Sequence, residues 1–149
     1  MEYSITNMFA EKIDENVYVK AFVQGSETEQ RELPPLVSVL MASYNHEKFV
    51  EAAVRSVMAQ KGVAFELIVV DDGSTDSSPE ILERLRDELH FTYVHRPNKG
   101  VVATMNELVS MARGKYFCSF ASDDMMPAGR LEKQSAYLES HPEDPLCFG

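Results

Sequence analysis

Four short apolar runs, each followed by a segment with helical spacing, constrain this chain more than any other feature. Val37–Met41, Phe65–Val70, Phe91–Val94 and Lys115–Phe120 read as strands. Lys48–Gln60, Pro79–Leu89, Gly100–Arg113 and Pro127–Ser140 repeat apolar residues at helical intervals. In the first helix these are Phe49, Val50, Ala53, Val54, Val57 and Met58. In the second they are Ile81, Leu82, Leu85 and Leu89, and in the third Val101, Met105, Leu108 and Ala112. The last turns Leu131 and Leu138 inward. Asp76 to Ser78 supply cap candidates, Pro79 suits a first helical turn and Gly114 reads as a C-terminal stop. Strand–helix alternation with short connections predicts an α/β fold, a mostly parallel open sheet flanked by helices. Within Phe65–Val70, Leu67–Val70 is a continuous apolar run, as a strand buried on both faces should be.

The regular pattern begins at Leu36. Residues 1–34 stand apart as a leader or linker. Met8–Asp14 suits a short helix, Val17–Val23 alternates like a strand, and Gly25–Glu32 is a polar linker closed by Pro34-Pro35. One domain over 35–149 follows, since 149 residues with 44% apolar content fill a single core. Acids outnumber bases 24 to 14, for a net charge of -10, and no basic stripe is present. That argues against nucleic-acid binding along a phosphate backbone. A small phosphorylated ligand stays compatible if helix N-termini, local bases or a divalent cation offset the repulsion. Cys118 and Cys147 are too far apart in sequence to suggest a zinc site and read as buried, reduced thiols. Met1–Lys20 carries acids and lacks the apolar core of a signal peptide. No run approaches the roughly 18 apolar residues of a membrane span. The expectation is a cytoplasmic location, with room for peripheral association with an inner membrane.

In parallel sheets, ligands sit at the carboxyl ends of the strands, so the residues after each strand carry the functional signal. The first strand leads into Ala42-Ser43-Tyr44-Asn45-His46. This is no dinucleotide-binding glycine loop. Tyr44 could stack on a base there, or merely pack on the next helix. The second strand ends in Asp71-Asp72-Gly73-Ser74-Thr75-Asp76. Adjacent carboxylates repel, and something must offset the cost: a helix N-terminus, hydrogen-bond donors or a ligand. Such a carboxylate can accept a base N–H or a ribose hydroxyl, while Asp and Gly also serve turns and caps. After the third strand, Arg96 and Lys99 bring positive charge to the same rim, beside a helix N-terminus. The plainer alternative is a solvated loop. After the fourth comes Ala121-Ser122-Asp123-Asp124, a second acid pair. It suits a hard divalent cation that bridges carboxylate and phosphate oxygens, or a capping loop. A response-regulator receiver also has an acidic pair in a parallel sheet, but after the first strand, not the second.

Taken in order, Val37–Asn45, Phe65–Asp76, Asn98-Lys99-Gly100 through Asn106, Ala112–Tyr116, and Ala121–Asp124 with Pro127 and Arg130–Gln134 resemble the family 2 glycosyltransferases of GT-A fold. The resemblance covers residues 35–149. It implies a nucleotide-sugar-binding domain with a UDP-sugar donor, as in bacterial polysaccharide-biosynthesis members. It also implies Mn²⁺ or Mg²⁺, inversion at the anomeric carbon, and a glycan or lipid-linked saccharide acceptor. By position, Ala42, Ser43, Tyr44 and Asn45 resemble the nucleotide loop, with Tyr44 as the ring that stacks on uracil. Asp72 resembles the acid that accepts the base N–H, with Asp71 beside it and Lys99 on the same rim. Asp123 sits where the family contacts ribose, and Asp124, with Asp123, where it holds the metal. Ala121 departs from the pattern, since many members carry an acid there. No residue resembles the catalytic base, and Glu143 and Asp144 are poor substitutes. The base and the acceptor-binding half are expected beyond Gly149, with the chain ending inside the fifth strand at Cys147-Phe148-Gly149. An edge left open in that way is expected to favour self-association. The competing expectation is a module that holds a nucleotide and performs no chemistry.

Overall fold

The computed structural model describes residues 34–147, and the expectations for residues 1–33, Phe148 and Gly149 lie outside them. Within that span the strands are β1 (Val37–Ser43), β2 (Phe65–Asp71), β3 (Thr92–His95) and β4 (Tyr116–Ala121). The helices are α1 (Val50–Met58), α2 (Ser78–Leu89), α3 (Val101–Met111) and α4 (Arg130–Ser140). They alternate as the apolar pattern predicts. The sheet is parallel throughout, in the order β3-β2-β1-β4.

That order explains where the helices lie. The chain steps outward from β1 to β3, then crosses back over β1 to lay down β4. Right-handed crossovers put helices on opposite faces when the direction of travel reverses. Accordingly α1 and α2 cover one face, where Val39, Met41, Val54, Val57, Val69, Leu82 and Leu85 form the larger core, joined by Leu131 of α4. On the other face Leu108 of α3 packs with Leu40, Ile68 and Val70. Consecutive residues of β1 and β2 feed opposite cores, so Val39–Met41 and Leu67–Val70 are apolar without interruption. β4 differs. Phe120 is buried, but Phe117 on its opposite face is 52% exposed.

Several residues depart from the helical pattern. Phe49 precedes α1 with non-helical backbone angles and is exposed. Val101 is also exposed, and the residue that α3 buries in its first turns is Thr104. Its hydroxyl donates to Gly100 O at 2.9 Å and accepts from Arg96 at 2.8 Å, so burial leaves no polar atom unpaired. Leu138 is only half-buried. Gly114 does not stop α3 by a left-handed cap, since the helix closes at an extended Ala112. Its role is close approach. A Cβ there would lie 2.6 Å from Ser38 N, and Gly114 N donates to Ser38 Oγ at 2.9 Å. Ser38 and Arg113 also bind Glu66, which ties off the amino end of the sheet. Residues 141–147 form no strand. Among the described residues, no helix is long and apolar enough to cross a membrane.

Candidate functional site

Strand register builds the floor of the site. Ser43, Asp71 and His95 lie side by side at the carboxyl ends of β1, β2 and β3, and Ala42 faces Ala121 of β4. The order reverses between β1 and β4, so the crevice there is the natural ligand position of such a sheet. The loops that follow β1 and β4 border it.

After β1, Ser43 is buried and its hydroxyl has no partner among the described residues. Tyr44 is 47% exposed, so it is not spent on packing against α1. Asn45 takes a left-handed backbone (φ 55°), which a short amide side chain tolerates better than most. From there its N–H donates to Ser74 Oγ at 2.8 Å, and its Oδ1 accepts from Thr75 N at 2.8 Å. Carboxylates continue the seam. Asp76 accepts from Glu47 N, and Glu47 accepts from Ser77 N, each at 3.0 Å.

The repulsion expected between Asp71 and Asp72 is relieved inside the protein. Asp71 is fully buried. It accepts from Ser74 N at 2.9 Å and Ser74 Oγ at 2.5 Å, and His95 Nδ1 lies 2.9 Å from Oδ1. Asp72 turns the other way, into the β3–α3 loop. It accepts from the Arg96 guanidinium, from Lys99 N at 2.8 Å and from Gly100 N at 3.0 Å. Those contacts use three of a carboxylate's roughly four acceptor positions. Arg96 is nearly buried and also donates to Glu107 and Thr104, each at 2.8 Å. The sequence reading left Arg96 as a rim charge or a solvated loop residue, and the structure makes it the internal counter-ion of Asp72. Lys99 contributes its backbone N–H to Asp72, and its side chain is exposed.

Burial disfavours the charged form of Asp72, but the Lys99 N–H and the Arg96 guanidinium outweigh it and hold the carboxyl below its usual range. Asp76 is shifted the same way. Burial opposes its charge, and the Ser78 hydroxyl with the Glu47 N–H overcomes that. Depressed folded values mean that both groups contribute stability above the unfolded pKa, about 4, and lose it as pH falls through the folded values. The urea midpoint is therefore expected to hold from about pH 7 to about pH 5 and to fall below about pH 4. The profile of Asp72→Asn should start lower and fall less. A wild-type midpoint unchanged down to about pH 2 would contradict this account of the loops.

After β4, Ser122 is buried and Asp123 and Asp124 are exposed, in a turn where Asp124 N donates to Ala121 O at 3.4 Å. Neither carboxylate has a side-chain hydrogen bond among the described residues. Nor do the described residues contain a group of three or more His, Cys, Asp or Glu able to hold a metal ion. His46 Nδ1 lies 2.7 Å from Ser122 Oγ, which joins the β1 loop to this turn across the crevice. His46, Ser74, His95 and Ser122 escaped the sequence reading as site members. The only signal available was their place within or beside the loops already singled out.

Comparison with known proteins bears on the family and the fold. The profile of Glycosyl transferase family 2 matches residues 38–149. TuaG of Bacillus subtilis, described as a putative teichuronic acid biosynthesis glycosyltransferase, is 36% identical over 107 residues, covering 70% of this chain and 42% of TuaG. The S. aureus TarS 1–349 structure in complex with UDP-GlcNAc matches with a TM-score of 0.65 at 29% identity, over 71% of this chain and 32% of that one. Mannosyltransferase PcManGT from Pyrobaculum calidifontis, in complex with GDP-Man and Mn²⁺, shares the fold at 20% identity with a TM-score of 0.64, over 87% and 39%. The chain spans less than half the length of the curated relatives it matches. A parallel sheet with one acid pair after its second strand and another after its fourth is thus accompanied by a family match over most of the chain, which belongs to glycosyl transferase family 2.

Proposed function

We propose that this chain is the donor-binding portion of a glycosyltransferase that moves a sugar from a UDP-sugar to a glycan or lipid-linked saccharide acceptor in the cytoplasm. The observation that carries the reading is the crevice between β1 and β4. An unspent aromatic ring, Tyr44, stands on one side, and two unpaired carboxylates, Asp123 and Asp124, stand on the other. The UDP-GlcNAc complex of TarS supports the donor class.

In this reading Tyr44 stacks on uracil and the Ser43 hydroxyl gains the partner it lacks. Asp72 has about one acceptor position left for the base N–H. Its main work is to hold Lys99 and Gly100 in place. Asp123 contacts ribose. Asp123 and Asp124 offer hard oxygen donors, which fits Mg²⁺ or Mn²⁺, ions that fill their remaining positions with phosphate oxygens and water. These two carboxylates would hold the ion, which would supply positive charge to offset that of the departing diphosphate. Transfer with inversion requires a base to take the acceptor hydroxyl's proton as oxygen attacks the anomeric carbon. Asp144 is a poor one, because its carboxylate accepts from Tyr137 at 2.7 Å. Exposed Phe117 on β4 is where self-association would start, and light scattering would detect it.

Calorimetry with UDP tests the reading. UDP is expected to bind more tightly with Mn²⁺ than in EDTA, and more tightly than GDP. Stacking on a base is worth about 1–3 kcal/mol, so Tyr44→Ala should weaken UDP roughly tenfold or more. Asp124→Ala should abolish the Mn²⁺ dependence. Equal affinity in EDTA would refute the metal assignment, and GDP competing as well as UDP would refute the base pocket. UDP binding without sugar transfer would favour the module that only holds nucleotide.

A further inference from the structure

The acidic turn after β4 is held at its two ends and free in the middle. On the exit side Met126 N donates to Ser56 Oγ at 2.8 Å, and Gln60 Nε2 donates to Pro127 O at 3.0 Å. On the entry side Ser122 is buried to 1% exposure, and its hydroxyl meets His46 Nδ1 at 2.7 Å. Between these anchors Asp123, Asp124 and Met125 are exposed.

His46 is itself fixed from several directions. Its N–H donates to Ser78 Oγ at 3.0 Å, at the start of α2. Its carbonyl accepts from Phe49 N and Val50 N, both at 2.9 Å, where α1 begins. The ring meets Phe49 edge-on, with centroids 6.4 Å apart. With its backbone held this firmly and its ring against Phe49, His46 presents Nδ1 at a defined point, and Ser122 takes it up.

We infer that His46 is a positioning residue: through Ser122 it sets the height and direction of the Asp123–Asp124 turn over the crevice. The inference rests on the donor-binding reading for its functional consequence, and on the His46–Ser122 contact alone for its structural one. Loss of the imidazole leaves a buried hydroxyl without a partner one residue from Asp123. The turn then relaxes, and its carboxylates no longer meet the metal and the ribose at the same time. Asn45 and the loop after β2 keep their own bonds, so the base side of the site is unaffected.

Two measurements on the full chain test this, with far-UV circular dichroism to confirm folding. The first is amide hydrogen exchange at residues 122–125. The second is the gain in UDP affinity on adding Mn²⁺ over EDTA. His46→Ala should speed exchange in the turn and cut the Mn²⁺ gain about three- to tenfold, the worth of one hydrogen bond. The loss should fall on the Mn²⁺ gain far more than on UDP affinity in EDTA. Ser122→Ala should have the same effect, and the double variant should be no worse than either single one. His46→Asn should restore both readouts, because its amide offers a donor and an acceptor close to the position of Nδ1. Unchanged exchange and Mn²⁺ gain in His46→Ala, or additive losses in the double variant, would overturn the inference. A parent chain with no affinity for UDP would sink the donor reading instead, and the exchange data would still decide whether His46 holds the turn.

Discussion

Leu108→Ala is expected to lower the unfolding free energy by about 2–5 kcal/mol, the range for emptying a fully buried leucine site. Leu108 is fully buried and is the only residue of α3 in the four-residue core on its face of the sheet. The other three, Leu40, Ile68 and Val70, are strand residues and cannot follow a helix inward. Met105 and Met111 flank the position and are half-buried, and their flexible side chains could fill part of the void. The spread in cost reflects how far such neighbours collapse. A thermal midpoint lowered on the order of 10 °C is the simplest readout. The damage should reach the site, because α3 carries Thr104 against Arg96 and follows directly from the Lys99 and Gly100 N–H groups that bind Asp72. A loss below about 1 kcal/mol would mean that α3 is not held to the sheet by this contact.

Gly73→Ala is expected to cost about 2–4 kcal/mol, from two sources that one comparison separates. The backbone at Gly73 is left-handed (φ 75°), which a side chain resists. A Cβ would also lie 2.6 Å from Asn98 N and 3.2 Å from Arg96 O, both backbone atoms that cannot swing away. Gly129 shares the left-handed backbone (φ 73°), but its Cβ would find only the end of Lys133, at 4.0 Å. Gly129→Ala should therefore show the strain alone, about 1 kcal/mol. The excess at Gly73 measures how closely the β2 loop is pressed against the β3–α3 loop. Equal denaturant midpoint shifts for the two variants would show that this approach carries no energy.

The sheet and the two acidic loops were legible because they rest on period and order. An apolar run, an amphipathic stretch and a short connection leave few topologies, and a parallel sheet dictates which loops matter. The individual pairings were not legible. Asp71 and Asp72 needed counter-groups, but apart from Ser74 the residues that supply them, His95, Arg96 and the Lys99 and Gly100 N–H groups, lie 24 to 28 positions on. Only the register of β2 against β3 brings them near. Thr104 shows a different gap. A hydrophobic pattern favours the apolar Val101 for the inward face, and burial of a threonine makes sense only once both partners of its hydroxyl are known. Gly114 was misread because the same residue serves left-handed caps and close approaches, and Ser38, the residue it approaches, lies in another strand.

Asn45 bears on the thermodynamics of ligand entry. Its bonds to Ser74 and Thr75, continued by Glu47 with Asp76 and Ser77, join two loops at the mouth of the sheet. Freedom already surrendered on folding need not be surrendered again on binding. A base that docks between Tyr44 and these loops meets a wall set in advance, so the ordering penalty on that side falls chiefly on the Tyr44 ring. On the proposed phosphate side the turn is anchored at its ends, but the Asp123 and Asp124 carboxylates have no hydrogen bond among the described residues. In the proposed reading, entropy lost on binding should grow in steps along a ligand series, small for uridine and larger once a diphosphate and its cation order the two exposed carboxylates.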